Sequence, residues 1–437
     1  VLTERLFIDY AVSQQPDLLV FSLYLWNIEK TLRIVATLKQ VLPDAEVVFG
    51  GPEVNPNNDF LLQSDQFTQG IVGEGEIAFE KFLSGCDPKS IPGFLTKNSF
   101  NKSSELRREY TPNTNPYLTG LIETTPDTTM FFETVRGCPF SCSFCYYNKV
   151  YDKIIPVGRE HLEQLFEYAM KQDFTELFLL DPTFNVQPKF DELLDQLCEL
   201  NKDHAFEIST ELRADYLKDD QIEKMRALNL IEAEIGLQTT NPAALELMSR
   251  RDRIRETIER TQKMIEAGIS CKVDLIVGLP GDTLEDFKRS VDDVCAAGIQ
   301  DAVQVFRLSI LSGTEFSLSA DKLGLSLEKR PPYYLQSTPT FSSEDIREAL
   351  DYAEELFETE LYPIPPYLLS TDFEGLDEKL LVRFDTEIKP VHKIVLDDRC
   401  TGDFVAAIES SVLCENLVIH FRVSQSQESL ERLLEVC

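Results

Sequence analysis

The sequence of 437 residues is poor in basic residues, in histidine and in long hydrophobic runs. It has 42 Lys and Arg against 75 Asp and Glu, which gives a formal net charge of −33. A charge of this sign repels phosphate backbones and anionic lipid surfaces, so neither a nucleic-acid partner nor a membrane partner is expected. The longest apolar runs have the length of core strands and fall short of the roughly 20 residues that a membrane span needs.

Cysteine is also sparse, with 10 residues unevenly placed, which argues against a disulfide framework. Cys138, Cys142 and Cys145 are the exception, because they lie close together. No export signal is visible, so we expect a cytoplasmic protein whose clustered cysteines are metal ligands rather than bridges. The chain begins at Val1 and not at Met, which is typical of a processed chain or a fragment, and a first strand could be missing.

Strand and helix signals alternate along most of the chain, which predicts an α/β fold with parallel strands. Residues 1–97 are predicted to form a Rossmann-like domain with a helix capped by Asn27. Its predicted strands lie within Pro16–Trp26, Ala45–Phe49 and Gln69–Val72. Residues 98–125 are polar and are predicted to be a linker.

Residues 126–320 are predicted to form a partial (β/α)6 barrel, in which functional residues follow the carboxyl ends of strands. The predicted strands are Met130–Val135, Glu176–Leu180, Phe206–Thr210, Ala233–Leu237, Lys272–Val277 and Ala302–Leu308. The predicted helices are His161–Lys171, Lys189–Leu200, Ser249–Ala267 and Leu284–Ala297. Residues 321–437 are predicted to be a small α/β appendage. Its elements are a helix over Ser343–Leu361, strands at Lys379–Phe384, Lys393–Leu396 and Leu417–Phe421, and a closing helix from Gln427.

The strongest chemical signal is the three cysteines, which follow directly on a predicted strand. Soft thiolates are the usual ligands of iron–sulfur clusters. Three ligands would leave one iron of a 4Fe–4S cluster open, as catalytic metal sites keep an open position. The alternative is a structural zinc site, but zinc requires four closed ligands and no fourth Cys or His lies nearby.

The spacing Cys-x-x-x-Cys-x-x-Cys, with Phe144 before the last cysteine and Tyr146 after it, resembles the radical S-adenosylmethionine (SAM) superfamily. The resemblance implies a cluster whose open iron binds SAM. It also implies that one electron from the reduced cluster cleaves SAM to methionine and a 5′-deoxyadenosyl radical, which removes hydrogen from an unactivated carbon. An electron donor such as flavodoxin or ferredoxin is then expected.

The resemblance also implies SAM-binding positions after successive strands. They are Phe144, Asp181, Thr183, Glu211, Arg213, Gln238, Gly278 and Gly281. Alternatives stay open for several of them. Asp181 would also suit a helix cap, Glu211 and Arg213 a surface pair, and the two glycines plain turns.

Residues 16–84 resemble the cobalamin-binding domain that precedes one class of radical SAM proteins. The pieces that match are Phe21-Ser22, Trp26-Asn27, Gly50-Gly51-Pro52 and Gly73-Glu74-Gly75-Glu76. The resemblance implies that Gly50, Gly51, Gly73 and Gly75 line a cobalamin. No histidine precedes His161, so the resembling domain would lack a histidine ligand to cobalt from this part of the chain. The alternative is a degenerate domain that binds nothing.

Two kinds of protein fit these features. The first is a cobalamin-dependent radical SAM enzyme that transfers a methyl group to a small metabolite or peptide, or that rearranges or cyclises its substrate without methyl transfer. The second is a regulatory or interaction protein that carries an iron–sulfur cluster without SAM turnover. A tRNA methylthiotransferase fits less well, because residues 1–125 hold only Cys86 and no second cysteine triad. The sequence assigns no catalytic acid or base.

Overall fold

The computed structural model describes residues 4–101, 115–122, 124, 128–147 and 154–361, and the backbone of two strands at 392–397 and 417–422. The chain forms two compact units. One contains residues 1–20, 29–47 and 362–437, and the other contains residues 21–28 and 48–361. The second unit includes the carboxyl ends of the first two strands and the described residues between 48 and 361. All residues of the candidate site lie in this unit.

The N-terminal sheet has five strands in chain order. They are β1 (Leu18–Ser22), β2 (Glu46–Gly50), β3 (Gln69–Ile71), β4 (Phe94–Thr96) and β5 (Ser99–Phe100). The helices of this region are α1 (Glu4–Gln14), α2 (Ile28–Val41), α3 (Asp59–Gln63) and α4 (Glu76–Leu83). β2 and β3 are parallel, as predicted, whereas β3–β4 and β4–β5 are antiparallel. The antiparallel pairs are absent from the prediction because strands of two or three residues carry too little pattern.

The central sheet has six strands, and all neighbouring pairs are parallel. In spatial order they are β6 (Thr129–Phe132), β9 (Glu176–Leu179), β10 (Glu207–Leu212), β11 (Leu230–Gln238), β12 (Ser270–Val277) and β13 (Val303–Arg307). The connecting helices are α5 (Arg159–Lys171), α6 (Phe190–Leu200), α7 (Asp219–Ala227), α8 (Pro242–Leu247), α9 (Ile254–Glu266) and α10 (Leu284–Ala296). Strand order and direction are those of the predicted partial barrel.

Burial alternates along β11, which separates two faces of the central sheet. Ala233, Ile235 and Leu237 are buried, while Glu234 and Gly236 between them are partly accessible. Paired residues of parallel strands place their side chains on the same face of a sheet. The face that carries Glu234 therefore also receives side chains from β10 and β12, and it forms the interior of the partial barrel.

The first predicted strand of the barrel, Met130–Val135, is interrupted. β6 ends at Phe132, and β7 (Val135–Arg136) pairs antiparallel with β8 (Ile155–Pro156) outside the central sheet. The cause is Asp181, whose carboxylate accepts the backbone N–H groups of Thr134 at 2.7 Å and Val135 at 3.1 Å. These amides therefore do not form hydrogen bonds with the neighbouring strand, and the chain leaves the sheet just before the first cysteine.

Two predicted helices are shorter than expected. The helix predicted to start at Ser249 starts at Ile254, because Ser249 has a φ of +56° and the residues after it form a buried ion-pair network. The helix predicted over Ser343–Leu361 is α13 (Ser343–Phe357), and it ends where Glu358 adopts a φ of +50°. It follows α11 (Glu315–Leu318), α12 (Ala320–Leu323) and the hairpin of β14 (Ser326–Leu327) with β15 (Leu335–Ser337).

Two predicted strands of the C-terminal appendage are confirmed as a parallel pair. They are β16 (His392–Asp397) and β17 (Leu417–Arg422). The strand predicted at Lys379–Phe384 and the closing helix predicted from Gln427 lie outside the described residues.

Candidate functional site

The three clustered cysteines lie on the loop that follows β7. All three are thiols; Cys142 is buried, whereas Cys138 and Cys145 are half-buried. The Cys145 amide donates to the Cys142 carbonyl at 3.2 Å, so the second half of the loop is curled. Phe144 is partly buried and packs against the hydrophobic core. Phe144 thus anchors the loop to the core.

Ser143 fixes this loop to distant parts of the chain. Its amide donates to the Met248 carbonyl at 2.9 Å, and its hydroxyl donates to the Leu247 carbonyl at 3.1 Å. Its own carbonyl accepts the Phe316 amide at 3.0 Å. These contacts hold the cysteine loop against α8 and α11.

A buried network of ion pairs lies beside Cys142. Arg213 pairs with Asp215 at 3.0 Å and with Asp252 at 2.5 Å, and Arg250 pairs with Asp252 at 2.5 Å. Burial raises the pKa of the Cys142 thiol, and the nearby positive charge of Arg250 opposes that rise. Arg213 is among the positions predicted from sequence, whereas Arg250 and Asp252 are not. The dense charges of Arg250-Arg251-Asp252-Arg253 are the signal that could have found them.

The donor set fits an iron–sulfur cluster with one open iron. Within the described ranges, no group of three or more His, Cys, Asp or Glu side chains is arranged to hold a single metal ion. A cluster does not require that arrangement, because each thiolate ligates a different iron. Three soft sulfurs on one fixed loop, with no fourth ligand among the described residues, match the expected donor set. The assignment of Cys138, Cys142 and Cys145 as ligands stays a prediction.

Thr183 is a predicted SAM residue from another strand end that lies next to the cysteine loop. Its hydroxyl is 3.7 Å from the Cys138 sulfur. Asp181, two residues earlier, is fully buried and bonded to Thr134 and Val135. Burial raises the pKa of Asp181 to about 6, against the effect of those bonds. Thr183 therefore faces the cysteine loop, while Asp181 holds the backbone from which that loop starts.

Glu211 belongs to a group of carboxylates on neighbouring strands. It pairs in register with Glu234, and Asp274 pairs with Gly236 on the same face. Glu211 is accessible to water yet surrounded by protein, as expected for a side chain that lines a concave interior. Burial, then the charges of Glu234 and Asp181, raise its pKa to about 7. Burial, then Glu234 and Glu211, raise the pKa of Asp274 to about 8.

Gln238 joins this interior at the end of β11. Its φ is +68°, and its side chain folds back over Gly236, where an added Cβ would lie 2.3 Å from the Gln238 amide nitrogen. Its Oε1 is buried and has no hydrogen-bond partner in the described part of the chain. A buried acceptor without a donor is costly, so this oxygen suits a ligand hydroxyl or amine.

The two predicted glycines after β12 are needed by the fold itself. Gly278 and Gly281 have φ values of +92° and +91°, which favour glycine. A Cβ on Gly278 would lie 2.9 Å from Leu335, and one on Gly281 would lie 2.8 Å from Leu247. Their open sides are therefore filled by protein. Arg213 is likewise engaged with Asp215 and Asp252, so these three predicted positions contact protein partners.

The four glycines of the N-terminal sheet differ in their surroundings. An added Cβ on Gly50 or Gly75 would meet nothing within 4 Å, whereas one on Gly51 would lie 2.5 Å from the Leu23 carbonyl oxygen. Gly73 has a φ of +82°. Open space at Gly50 and Gly75, where two strands end, fits the approach of a flat ligand to the backbone.

The loop after β1 ends beside these turns and carries the only tryptophan of the sequence. Trp26 is 78% exposed and stacks on Tyr24 with ring centroids 4.6 Å apart. The Asn27 side chain, predicted to cap α2, instead accepts the Tyr24 amide at 2.8 Å and donates to the Ser22 carbonyl at 3.0 Å. Asn27 therefore stabilises the loop that presents the indole.

A salt bridge connects the turn after β3 to the start of the cysteine loop. The Glu74 carboxylate lies 3.0 Å from Arg136, which also pairs with Glu133 at 2.7 Å. Glu74 stands between Gly73 and Gly75, and Arg136 stands two residues before Cys138. The two sets of predicted cofactor residues thus meet within one compact unit.

Comparison with protein families assigns both regions. The family model of the radical SAM superfamily matches residues 132–294, and that of the B12 binding domain matches residues 3–83. The chain therefore contains a radical SAM domain and a B12-binding domain. A radical SAM domain implies a 4Fe–4S cluster and SAM, and a B12-binding domain implies cobalamin.

Among curated proteins, this chain is similar to two methyltransferases. It is 26% identical to the cobalamin-dependent radical SAM methyltransferase TokK of Streptomyces tokunonensis, over 68% of this chain and 47% of that protein. It is 25% identical to the 2-(S-pantetheinyl)-carbapenam-3-carboxylate methyltransferase of Streptantibioticus cattleyicolor, over 72% of this chain and 50% of that protein. The chain thus spans about half the length of these relatives.

Solved structures share the fold. The radical SAM methyltransferase TsrM from Kitasatospora setae, with cobalamin and a [4Fe–4S] cluster bound, aligns with a TM-score of 0.63 at 14% identity, over 81% of each chain. The cobalamin-dependent radical SAM enzyme OxsB, with cobalamin and SAM bound, aligns with a TM-score of 0.58 at 13% identity, over 79% of this chain and 59% of that one. None of the helices in the described ranges is long and apolar enough to cross a membrane.

Proposed function

We propose that this chain is a cobalamin-dependent radical SAM methyltransferase, which transfers a methyl group to an unactivated carbon of a small metabolite or peptide. One observation carries the proposal: a single chain combines a three-cysteine loop on a radical SAM sheet with a B12-binding domain. A salt bridge between Glu74 and Arg136 joins the turn after β3 of that domain to the start of the loop. A protein that only stored a cluster would not need the second domain. The two curated methyltransferases that the chain resembles support methyl transfer over rearrangement or cyclisation.

In this proposal Cys138, Cys142 and Cys145 hold three irons of the cluster and leave the fourth for SAM. When bound, the cluster would supply the electron that cleaves SAM, and the cobalamin would supply the methyl group. Thr183 and Phe144 would then border the SAM that lies on the cluster. Glu211 and Gln238 would offer acceptors to its hydroxyl or amine groups from the barrel interior.

The other predicted positions would act indirectly. Asp181 would fix the start of the cysteine loop, and Arg213 would act through the ion-pair network beside Cys142. Gly278 and Gly281 would shape the loop after β12. On the cobalamin side, Gly50, Gly73 and Gly75 would admit the corrin, and Gly51 would act through Leu23. Flavodoxin or ferredoxin is the proposed class of electron donor.

The test is anaerobic reconstitution with iron, sulfide and hydroxocobalamin, followed by SAM and dithionite. We expect a four-iron absorbance, a bound corrinoid spectrum and release of 5′-deoxyadenosine. Cys142→Ala should lose the cluster absorbance and all 5′-deoxyadenosine, because a ligand is removed. Cys198→Ala, a half-buried cysteine on α6, is the matched control and should retain both.

Methyl transfer is then tested with SAM that carries a deuterated methyl group, offered with candidate metabolites and peptides. A product heavier by the labelled methyl supports the proposal. An intact cluster that releases no 5′-deoxyadenosine would favour a regulatory iron–sulfur protein, and a rearranged product without the label would favour isomerisation or cyclisation. Zinc in place of iron in anaerobic preparations would overturn the cluster assignment.

A further inference from the structure

The loop that follows β2, residues 51–58, contains a carboxylate that the proposed function does not use. Glu53 is only 4% exposed. The Tyr333 hydroxyl donates to its Oε2 at 2.9 Å, and the Asn58 side chain donates to the same oxygen at 2.8 Å. Burial raises the pKa of Glu53, and these two bonds oppose the rise. A buried carboxylate is costly to keep, so its partners determine where it lies.

Tyr333 reaches this loop from 280 residues away in the sequence. It is buried and adopts a φ of +55°, which is strained for a tyrosine. Its amide donates to the Arg330 carbonyl at 2.8 Å, and its carbonyl accepts the Ile310 amide at 3.0 Å. The segment that follows the barrel therefore holds the phenol in place against Glu53.

A second contact attaches the same loop to the same segment. The Ser312 hydroxyl donates to the Asn57 carbonyl at 2.8 Å and lies 3.3 Å from Asn55 Oδ1. A Cβ on Gly313 would lie 3.3 Å both from Asn55 Oδ1 and from the Tyr146 ring. The loop after β2 and Tyr146 of the cysteine loop thus pack against one short stretch of backbone.

Tyr146 lies beside Gly313, on the cluster side of the loop after β2. It directly follows Cys145, and its pKa is raised to about 12 by burial and then by the charge of Glu53. On its other side, the Glu53 amide donates to the Leu23 carbonyl at 3.2 Å, next to Gly51. Glu53 therefore stands between the glycine turn of the B12-binding domain and the loop of the three cysteines.

We infer that Glu53 is a positioning residue, whose hydrogen bonds with Tyr333 and Asn58 fix the loop after β2, and a corrinoid held at the adjacent turn, relative to the three-cysteine loop. The corrinoid part of this inference rests on the proposed function, whereas the fixing of the loop does not. Reactions between two bound groups are sensitive to misplacements of about 1 Å. A buried carboxylate that accepts two hydrogen bonds can prevent such misplacement.

The first test uses the protein without cofactors and measures amide hydrogen exchange in residues 51–58. Glu53→Ala removes both bonds, and Tyr333→Phe removes one. Both should raise exchange in this loop at least about tenfold, the effect of losing roughly one hydrogen bond. Glu53→Gln keeps one oxygen that can accept both donors, so its exchange should match the wild type. Tyr352→Phe is the matched control, because it removes the hydrogen bond of a half-buried tyrosine to Asp292 on α10.

The second test uses reconstituted protein and electron paramagnetic resonance. Dipolar coupling between cob(II)alamin and the reduced cluster gives a distribution of distances between them. We expect a narrow distribution for the wild type, Glu53→Gln and Tyr352→Phe, and a distribution at least about twice as wide for Glu53→Ala and Tyr333→Phe. Iron content should be the same in all five proteins.

The outcomes separate the two proposals. Unchanged exchange and distances in Tyr333→Phe and Glu53→Ala would overturn the positioning role. Equal disruption by Glu53→Gln and Glu53→Ala would also overturn it, because charge rather than hydrogen bonding would then matter. If Glu53→Ala does not fold, Tyr333→Phe decides. If exchange behaves as expected but no corrinoid binds to any variant, the proposed function fails while the fixing of the loop stands.

Discussion

At the scale of single residues, one backbone oxygen distinguishes two adjacent glycines. Gly51 has a φ of +89° and faces the Leu23 carbonyl, while Gly50 faces open space. Both belong to the same Gly-Gly-Pro turn, and both are predicted from sequence to line a cobalamin. The two glycines differ in their spatial neighbours. Leu23, which contacts Gly51, follows a different strand, and the local sequence does not show that the two meet.

We expect Gly51→Ala to lower the free energy of unfolding by about 1–3 kcal/mol, because both the φ angle and the contact with Leu23 oppose a side chain. Gly50→Ala is the matched control and should change it by less than about 1 kcal/mol. Chemical denaturation of the two variants measures the difference. Equal losses would mean that the Leu23 contact does not decide the cost.

The three cysteines are predictable from sequence because their spacing is local. Their surroundings are not, because Arg250, Asp252 and Ser143's partners reach the loop through long-range packing. Thr183 and Gln238 lie at or just after strand ends, as the sequence predicts, and their role as SAM contacts stays a prediction. Asp181 is predicted as a SAM contact, but whether a side chain at a strand end faces a ligand or the neighbouring backbone depends on the partner strand.

At the scale of elements, the central sheet brings three carboxylates together. Glu211, Glu234 and Asp274 lie on three successive strands, with Asp274 deepest in the protein. Each position alone looks like an ordinary polar residue of a strand. Glu211 is among the predicted SAM positions, whereas Glu234 and Asp274 are not, because register between strands is set by packing and turns.

The raised pKa of Asp274 has a consequence for stability with a definite sign. A carboxyl group with a higher pKa in the folded state holds its proton there while the unfolded state releases it, so stability falls as pH rises from about 4 to about 8. In Asp274→Asn this loss should disappear. The slope of unfolding free energy against pH, between about pH 5.5 and 7.5, should become flatter by up to about 1.4 kcal/mol per unit.

Denaturation curves at several pH values measure that slope. Glu285→Gln, at an exposed position in the first turn of α10, is the comparison variant and should keep the wild-type slope. A wild-type slope in Asp274→Asn would show that the carboxyl group is not desolvated as described.

The order of the central strands is predictable because parallel strands joined by helices tend to follow one another along the chain. The break between β6 and β7 is not, since it depends on Asp181 from a later strand. The short antiparallel strands β4 and β5 are not predicted, because two or three residues are too few to show an alternation of apolar and polar side chains. Elements with long periodic stretches are thus predicted well, and elements defined by one distant side chain are not.

At the scale of the whole molecule, the net charge of −33 opposes compactness. Repulsion among like charges destabilises the folded state and is screened by salt. We expect the melting temperature to rise by about 2–4 °C when NaCl increases from about 0.05 M to about 0.5 M at neutral pH. Calorimetry measures the shift, and KCl should give the same result. A fall in melting temperature would show that local ion pairs outweigh the net repulsion.

The single indole gives this chain an optical label at one edge of one sheet. Trp26 is exposed, stacked on Tyr24 and the only tryptophan of the sequence. Tryptophan fluorescence therefore reports on this one position without an added dye. A molecule that settles over the carboxyl ends of β1 and β2 would shift or quench that emission, while one that occupies only the far part of the barrel would leave its wavelength unchanged.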